Sequence, residues 1–185
     1  MKVCVFGSYK NLRKKEKADA VLLGRLLAAK GFEVVSGGFG GTMEDVSRGA
    51  KEAGGTTIGV TYYKWQDAPY KKPNKYIDEE IRTENIFERI NVMMENSDAF
   101  IVFPGGTGTL LELAACLECI NKGLSEPKPI IAVGTFWKAV LERLAEELVL
   151  NEKARAASAV RTCRDLVTFA ANVEDAVTKL IRSTS

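Results

Sequence analysis

The chain has 185 residues, of which 46% are hydrophobic and 27% charged, and its formal net charge is +2. That balance fits a globular protein with one sizeable core, so residues 1–185 are expected to form a single domain. The charge is too small to imply a nucleic-acid or membrane partner, and no apolar run is long enough to cross a bilayer.

The first strand is expected at Val3–Phe6, ending at Gly7-Ser8. Met1-Lys2 runs straight into it and leaves no room for a secretory signal, so a cytoplasmic location is expected. Ala18–Lys30 has helical spacing and stops at Gly31. Phe32–Val35 is a second strand, ending in Ser36-Gly37-Gly38-Phe39-Gly40-Gly41, and Thr42–Ala53 a second helix. Thr56–Val60 is a third strand. Thr61–Asp78, rich in Tyr, Lys and Pro, reads as a long loop near the binding rim. Asn85–Asn96 is helical, Ala99–Phe103 a buried strand, and Leu110–Ile120 the helix after it. Pro129–Val133, Phe136–Leu150 and Leu166–Phe169 follow as strand, helix and short strand. Asn172 is placed as the N-cap of a closing helix over Val173–Ile181.

This alternation predicts an α/β fold: a Rossmann-like doubly wound parallel sheet with helices on both faces. Ligands of such sheets bind beyond the carboxyl ends of the strands. Three expected strand ends carry glycine there, at Gly7, Gly37-Gly38 and Gly105-Gly106. The richest turn, Pro104-Gly105-Gly106-Thr107-Gly108-Thr109, joins a buried strand to a helix. Its small residues let backbone N–H groups approach a ligand, and the helix end adds partial positive charge, which together suit a phosphate. Glu112 follows about one turn later. A carboxylate there repels the phosphate and is better suited to polarising a hydroxyl or a water. None of the turns matches the dinucleotide fingerprint, and no G-K-[ST] P-loop is present, so nicotinamide and ATP chemistry are disfavoured.

The chain contains no histidine. Ser–His and Cys–His nucleophile schemes are therefore excluded, and an acid or base must be Asp, Glu, Lys, Tyr or Cys. Cys116 and Cys119 form a C-x-x-C with no matching second pair, so these thiols read as small core residues and no metal site is expected. Glu84 and Glu88 share a helix face. Arg89 precedes an apolar helix and a buried strand, where it is placed to balance a phosphate or a developing negative charge. The basic run Lys10–Lys17 suits attraction of a phosphorylated substrate. Nothing aromatic is interleaved in it, so nucleic acid is not expected. Trp65 and Trp137 read as packing residues.

These motifs resemble those of the LOG (LONELY GUY) family of cytokinin riboside 5′-monophosphate phosphoribohydrolases. The signature P-G-G-x-G-T-x-x-E is complete from Pro104 to Glu112. The family's M-H-E-R-K falls on Ile86-Phe87-Glu88-Arg89-Ile90, with Arg89 and Glu112 twenty-three positions apart. Its G-G-G-x-x-G-L-M-G falls on Ser36-Gly37-Gly38-Phe39-Gly40-Gly41-Thr42-Met43-Glu44, and Val5-Phe6-Gly7-Ser8 also fits. The resemblance runs from about Val3 to about Leu148.

It implies hydrolysis of a purine nucleoside 5′-monophosphate, an N6-modified adenylate included, by a homodimer without metal or organic cofactor. It also implies Arg89 and Glu112 as the catalytic pair. Substrate contacts would come from Gly7, Ser8, Gly37, Gly38, Gly41, Met43, Glu88 and the Gly105–Thr109 turn. Phe87 and Ile90 stand where the family has His and Lys, and Ser36 and Glu44 where it has glycine. These departures are expected to alter the surroundings of the base and sugar. The wider superfamily also contains molybdenum-cofactor carriers, which implies the rival reading of a binding protein for a phosphorylated ligand.

Overall fold

The computed structural model describes residues 1–10, 13–62, 72–145 and 162–184. The elements in order are β1 (Lys2–Phe6), α1 (Lys14–Ala29), β2 (Glu33–Ser36), α2 (Thr42–Glu52), β3 (Thr57–Tyr62), β4 (Glu79–Thr83) and α3 (Ile86–Glu95). They continue with β5 (Ala99–Val102), α4 (Thr107–Asn121), β6 (Ile130–Val133), α5 (Lys138–Leu144), a 3-10 turn (Cys163–Leu166), β7 (Val167–Ala170) and α6 (Val173–Thr184). The strands form one sheet in the order β4-β3-β2-β1-β5-β6-β7, and every pairing is parallel. The expected doubly wound sheet is therefore present.

Alternation along the strands divides the core in two. On one face Cys4, Phe6, Val35, Ile58, Phe100 and Val102 pack against residues of α3, α4 and α5. On the other, Val3, Val5, Val34, Ala99 and Ile101 pack against residues of α1, α2 and α6. The central strands, covered on both sides, have to be apolar almost throughout, as their sequences are.

Local capping sets where two helices begin. The Asn85 side chain accepts from the Phe87 and Glu88 N–H groups, both at 3.0 Å, and starts α3. The expected cap Asn172 accepts from Asp175 N at 2.9 Å.

Several boundaries differ from the sequence reading, and one strand was not expected. The α1 helix begins at Lys14, so Lys14, Lys15 and Lys17 belong to its first turn, with Lys15 paired to Asp19. The α4 helix begins at Thr107, so Thr107-Gly108-Thr109 is helix and not loop. The β4 strand has no counterpart in the sequence reading. Its Glu79-Glu80-Ile81-Arg82-Thr83 is charged because it forms the sheet edge, where charge blocks pairing with another chain. Trp65 and the 146–150 end of the expected Phe136–Leu150 helix lie outside the described residues. Trp137 is a buried packing residue whose ring N–H donates to Phe103 O at 2.8 Å.

Candidate active site

The order of the sheet reverses at β1, which has β2 on one side and β5 on the other. A cavity of about 520 Å³ opens beyond the carboxyl ends of the strands there, where a doubly wound sheet binds its ligands. Gly7, Ser8, Tyr9 and Lys10 come to it from the end of β1, Phe39 and Met43 from beyond β2, and Tyr62 from the end of β3. Ile86 and Arg89 come from α3, and Gly106, Thr107, Gly108, Thr109 and Glu112 from the start of α4.

Gly106 is the N-cap of α4 and has no side chain to occupy the free N–H groups of the first turn. That turn contains no acidic residue. Gly106, Thr107 and Gly108 are exposed to the cavity, so this helix end offers donors and partial positive charge to an anion.

Deeper in the cavity are Arg89 and Glu112, only 6% and 8% exposed. Arg89 Nη1 is 3.6 Å from Glu112 Oε1. The guanidinium is held from several sides. Its Nε donates to Val60 O at 2.7 Å, and Nη2 lies 3.7 Å from Met43 Sδ. Its Cζ lies 5.4 Å from the Phe39 ring centroid and 5.8 Å from that of Tyr62, the two rings being edge to face. Gly37 makes this arrangement sterically feasible, because a Cβ there would overlap Arg89 Nη2.

Burial pushes the Glu112 carboxyl up to about 7, and Arg89 opposes this only in part. Burial also lowers the Arg89 pKa, with Glu112 opposing, but an arginine starts so high that it stays charged. Glu112 is thus a carboxyl able to take or give a proton near neutral pH. Burial, reinforced by Glu112, pushes the Cys4 and Cys116 thiols up, which suits inert core groups.

Of the residues expected at the site, Gly7, Ser8, Met43, Arg89, Gly106, Thr107, Gly108, Thr109 and Glu112 line the cavity. The other five do not. Gly37 backs Arg89, and Gly105 packs against Thr109. Gly38 donates to Ser36 Oγ at 3.2 Å. Gly41 is the N-cap of α2 and has φ +67°, where its backbone passes close to Ser8 O. Glu88 is exposed and accepts from Glu84 N at 2.7 Å, so it closes the start of α3.

The expectation for Phe87 and Ile90 also needs correction. Phe87 is 71% exposed on the surface, Ile90 is in the core, and neither lines the cavity. Tyr9, Phe39, Tyr62 and Ile86 line it without having been expected there, and of the basic run Lys10–Lys17 only Lys10 does, among the described residues. Among the described residues, no group of three or more His, Cys, Asp or Glu could hold a metal ion. No helix among them is long and apolar enough to cross a membrane.

Sheet order, cavity and glycine-capped helix together define a Rossmann-like α/β protein with its ligand cavity at the topological switch point. The chain belongs to the SLOG cluster4 family, whose model matches residues 1–164. It is similar to the probable cytokinin riboside 5′-monophosphate phosphoribohydrolase LOGL6 of Oryza sativa subsp. japonica, with 30% identity over 160 residues, 83% of this chain and 63% of that one. It is 38% identical over 100 residues to the cytokinin riboside 5′-monophosphate phosphoribohydrolase of Mycobacterium tuberculosis, 51% of this chain and 50% of that one. The match thus spans less than two thirds of the length of either relative. Among solved structures, the molybdenum cofactor carrier protein of Chlamydomonas reinhardtii matches with a TM-score of 0.72 at 27% identity, covering 98% of this chain and 96% of that one.

Proposed function

We propose that this protein hydrolyses the N-glycosidic bond of a purine nucleoside 5′-monophosphate, N6-modified adenylates included, releasing free base and ribose 5-phosphate. One observation carries the reading: the buried carboxyl of Glu112, pushed up to about 7, lies one helical turn from the donors of Gly106–Thr109. The phosphate binds those donors, the ribose lies over Glu112, and the base extends toward Met43, Phe39, Tyr62 and Ile86. Cleavage of the bond between C1′ and the base nitrogen sends its electron pair to the base, which ends as the neutral free base by taking up the proton that Glu112 removes from the attacking water, and leaves positive charge at C1′. The Glu112 carboxylate stabilises that charge and takes the proton of the water whose oxygen attacks C1′. Arg89 holds Glu112 in place and favours its ionised form. The similarity to phosphoribohydrolases of rice and Mycobacterium tuberculosis supports this reading.

The likeness to the Chlamydomonas carrier supports the rival reading, a binding protein for a phosphorylated ligand such as molybdenum cofactor. The carrier reading assigns no chemical step to the buried Glu112 carboxyl, whereas hydrolysis does.

The pH dependence tests the assignment. Glu112 acts as the base only when ionised, and its pKa in the free protein is about 7. For purine monophosphate hydrolysis, kcat/KM is expected to fall about tenfold per pH unit below that value and to level off above it. The second ionisation of the phosphate, near pH 6, steepens the fall further. A profile that stays flat between pH 6 and 8 would exclude Glu112 as the titrating base.

We also propose a homodimer joined through the apolar surface near the cavity rim. Phe87 at the start of α3 and Leu110 in the first turn of α4 are exposed, while Leu111 and Ala114 are half-buried. Light scattering is expected to give twice the 20.2 kDa chain mass, with dilution lowering activity and stability together. A fully active species of 20.2 kDa would contradict the dimer.

A further inference from the structure

The charged side chains lining the cavity are Lys10, Arg89 and Glu112, among the described residues. The latter two face each other at 3.6 Å, and the guanidinium is held by Val60, Met43, Phe39 and Tyr62. Turning Arg89 toward a phosphate would strip these contacts from a buried charge, at high cost. A phosphomonoester carries nearly two negative charges at neutral pH, whereas a helix N-terminus supplies only about half a positive one. The remaining balance has to come from elsewhere in the cavity lining.

Among the described residues, Lys10 is the cation left to provide it. Its ammonium makes no ion pair among the described residues. The turn that carries it is tied down locally: Lys10 N donates to Ser8 Oγ at 3.2 Å, and Ser8 O accepts from Thr42 N at 2.8 Å. The base of the side chain is therefore fixed against the start of α2, while its exposed, flexible stem is free to reach a ligand.

We propose that Lys10 is the specificity residue for the phosphomonoester, closing over a phosphate seated on the first turn of α4 and selecting 5′-monophosphates over nucleosides. This rests on the phosphate-end reading given above, and it assigns Lys10 to binding and not to bond cleavage.

The test is calorimetric binding of ribose 5-phosphate and of ribose to the wild type and to Lys10→Met, Lys10→Arg and Lys14→Met. Lys14 is in the same basic run but does not line the cavity, so its variant controls for overall charge. Lys10→Met is expected to weaken ribose 5-phosphate binding by about 10- to 100-fold, the scale of a lost charge-assisted hydrogen bond. Lys10→Arg should recover most of that loss, and Lys14→Met should change binding by no more than about threefold. In turnover, Lys10→Met should raise KM for the monophosphate with kcat retained.

Wild-type affinity in Lys10→Met would overturn the role of Lys10 while leaving the helix-end cradle standing. Equal losses in Lys10→Met and Lys14→Met would also overturn it, in favour of diffuse charge attraction. A wild type that binds ribose and ribose 5-phosphate equally would remove the phosphate reading itself, and Lys10 with it.

Discussion

Replacing Glu112 by glutamine is expected to lower kcat by about a thousandfold, within the range spanned by loss of a positioned acid–base group. Glutamine keeps the size of the side chain and leaves an amide oxygen beside Arg89 Nη1, which is 3.6 Å from the carboxylate in the wild type, but it cannot take a proton from water. The fold should tolerate the change. The Glu112 carboxyl is raised from 4.5 to about 7, so the folded protein binds this proton more tightly than the unfolded chain does. Between those two values the contribution of this group to stability falls as pH rises, and above them the carboxylate is a net cost. Glutamine removes that cost while weakening the pairing of Arg89, so the melting temperature at pH 8 should move by only a few degrees. Turnover by a folded Glu112→Gln variant within about tenfold of wild type would sink the assigned role.

The second large effect comes from a residue that does not line the cavity. Gly37→Ala places a methyl group where Arg89 Nη2 now lies, and the same methyl group would come within 2.7 Å of Met43 Sδ. The φ of Gly37 lies outside the left-handed region, so alanine introduces no backbone strain and the conflict is steric alone. The guanidinium has to move, which loosens its contacts with Val60 O and Glu112 together. Overpacking of this kind costs about 1–3 kcal/mol, and a shift of about 1 Å at a catalytic pair costs about a hundredfold in rate. Chemical denaturation and steady-state kinetics on the same preparation should show both losses. A Gly37→Ala variant with unchanged stability and kcat would mean that the tight fit around Arg89 has no functional consequence.

The parallel sheet and the glycine-rich turn leading into α4 were legible because both are written locally. Apolar strands alternate with helical spacing, and Pro104–Thr109 marks its own turn. Local signals misplaced the start of α4, because Gly and Thr are poor helix formers and read as loop, yet Thr107–Thr109 is already its first turn. The β4 strand was missed because a charged edge strand lacks the apolar run that marks a buried one. Tyr62 and Phe39 could not be recognised as cavity residues from their neighbours in sequence. They reach Arg89 only when β3 and the turn after β2 converge over the carboxyl end of the sheet. Arg89 itself was singled out, but the groups that hold it, Val60 and Met43, are 29 and 46 positions away. Glu88 was carried along by its motif and proves to close the start of its own helix, a use that spacing alone could not separate from ligand binding.

The most direct measurement is incubation of the purified protein with a panel of purine nucleoside 5′-monophosphates, including AMP and N6-substituted adenylates, with chromatographic quantification of products. The account predicts free base and ribose 5-phosphate in equal amounts, formed catalytically by the wild type and lost in Glu112→Gln. Tight binding of a nucleotide or a pterin phosphate with no base released from any member of the panel would contradict it and establish the protein as a carrier.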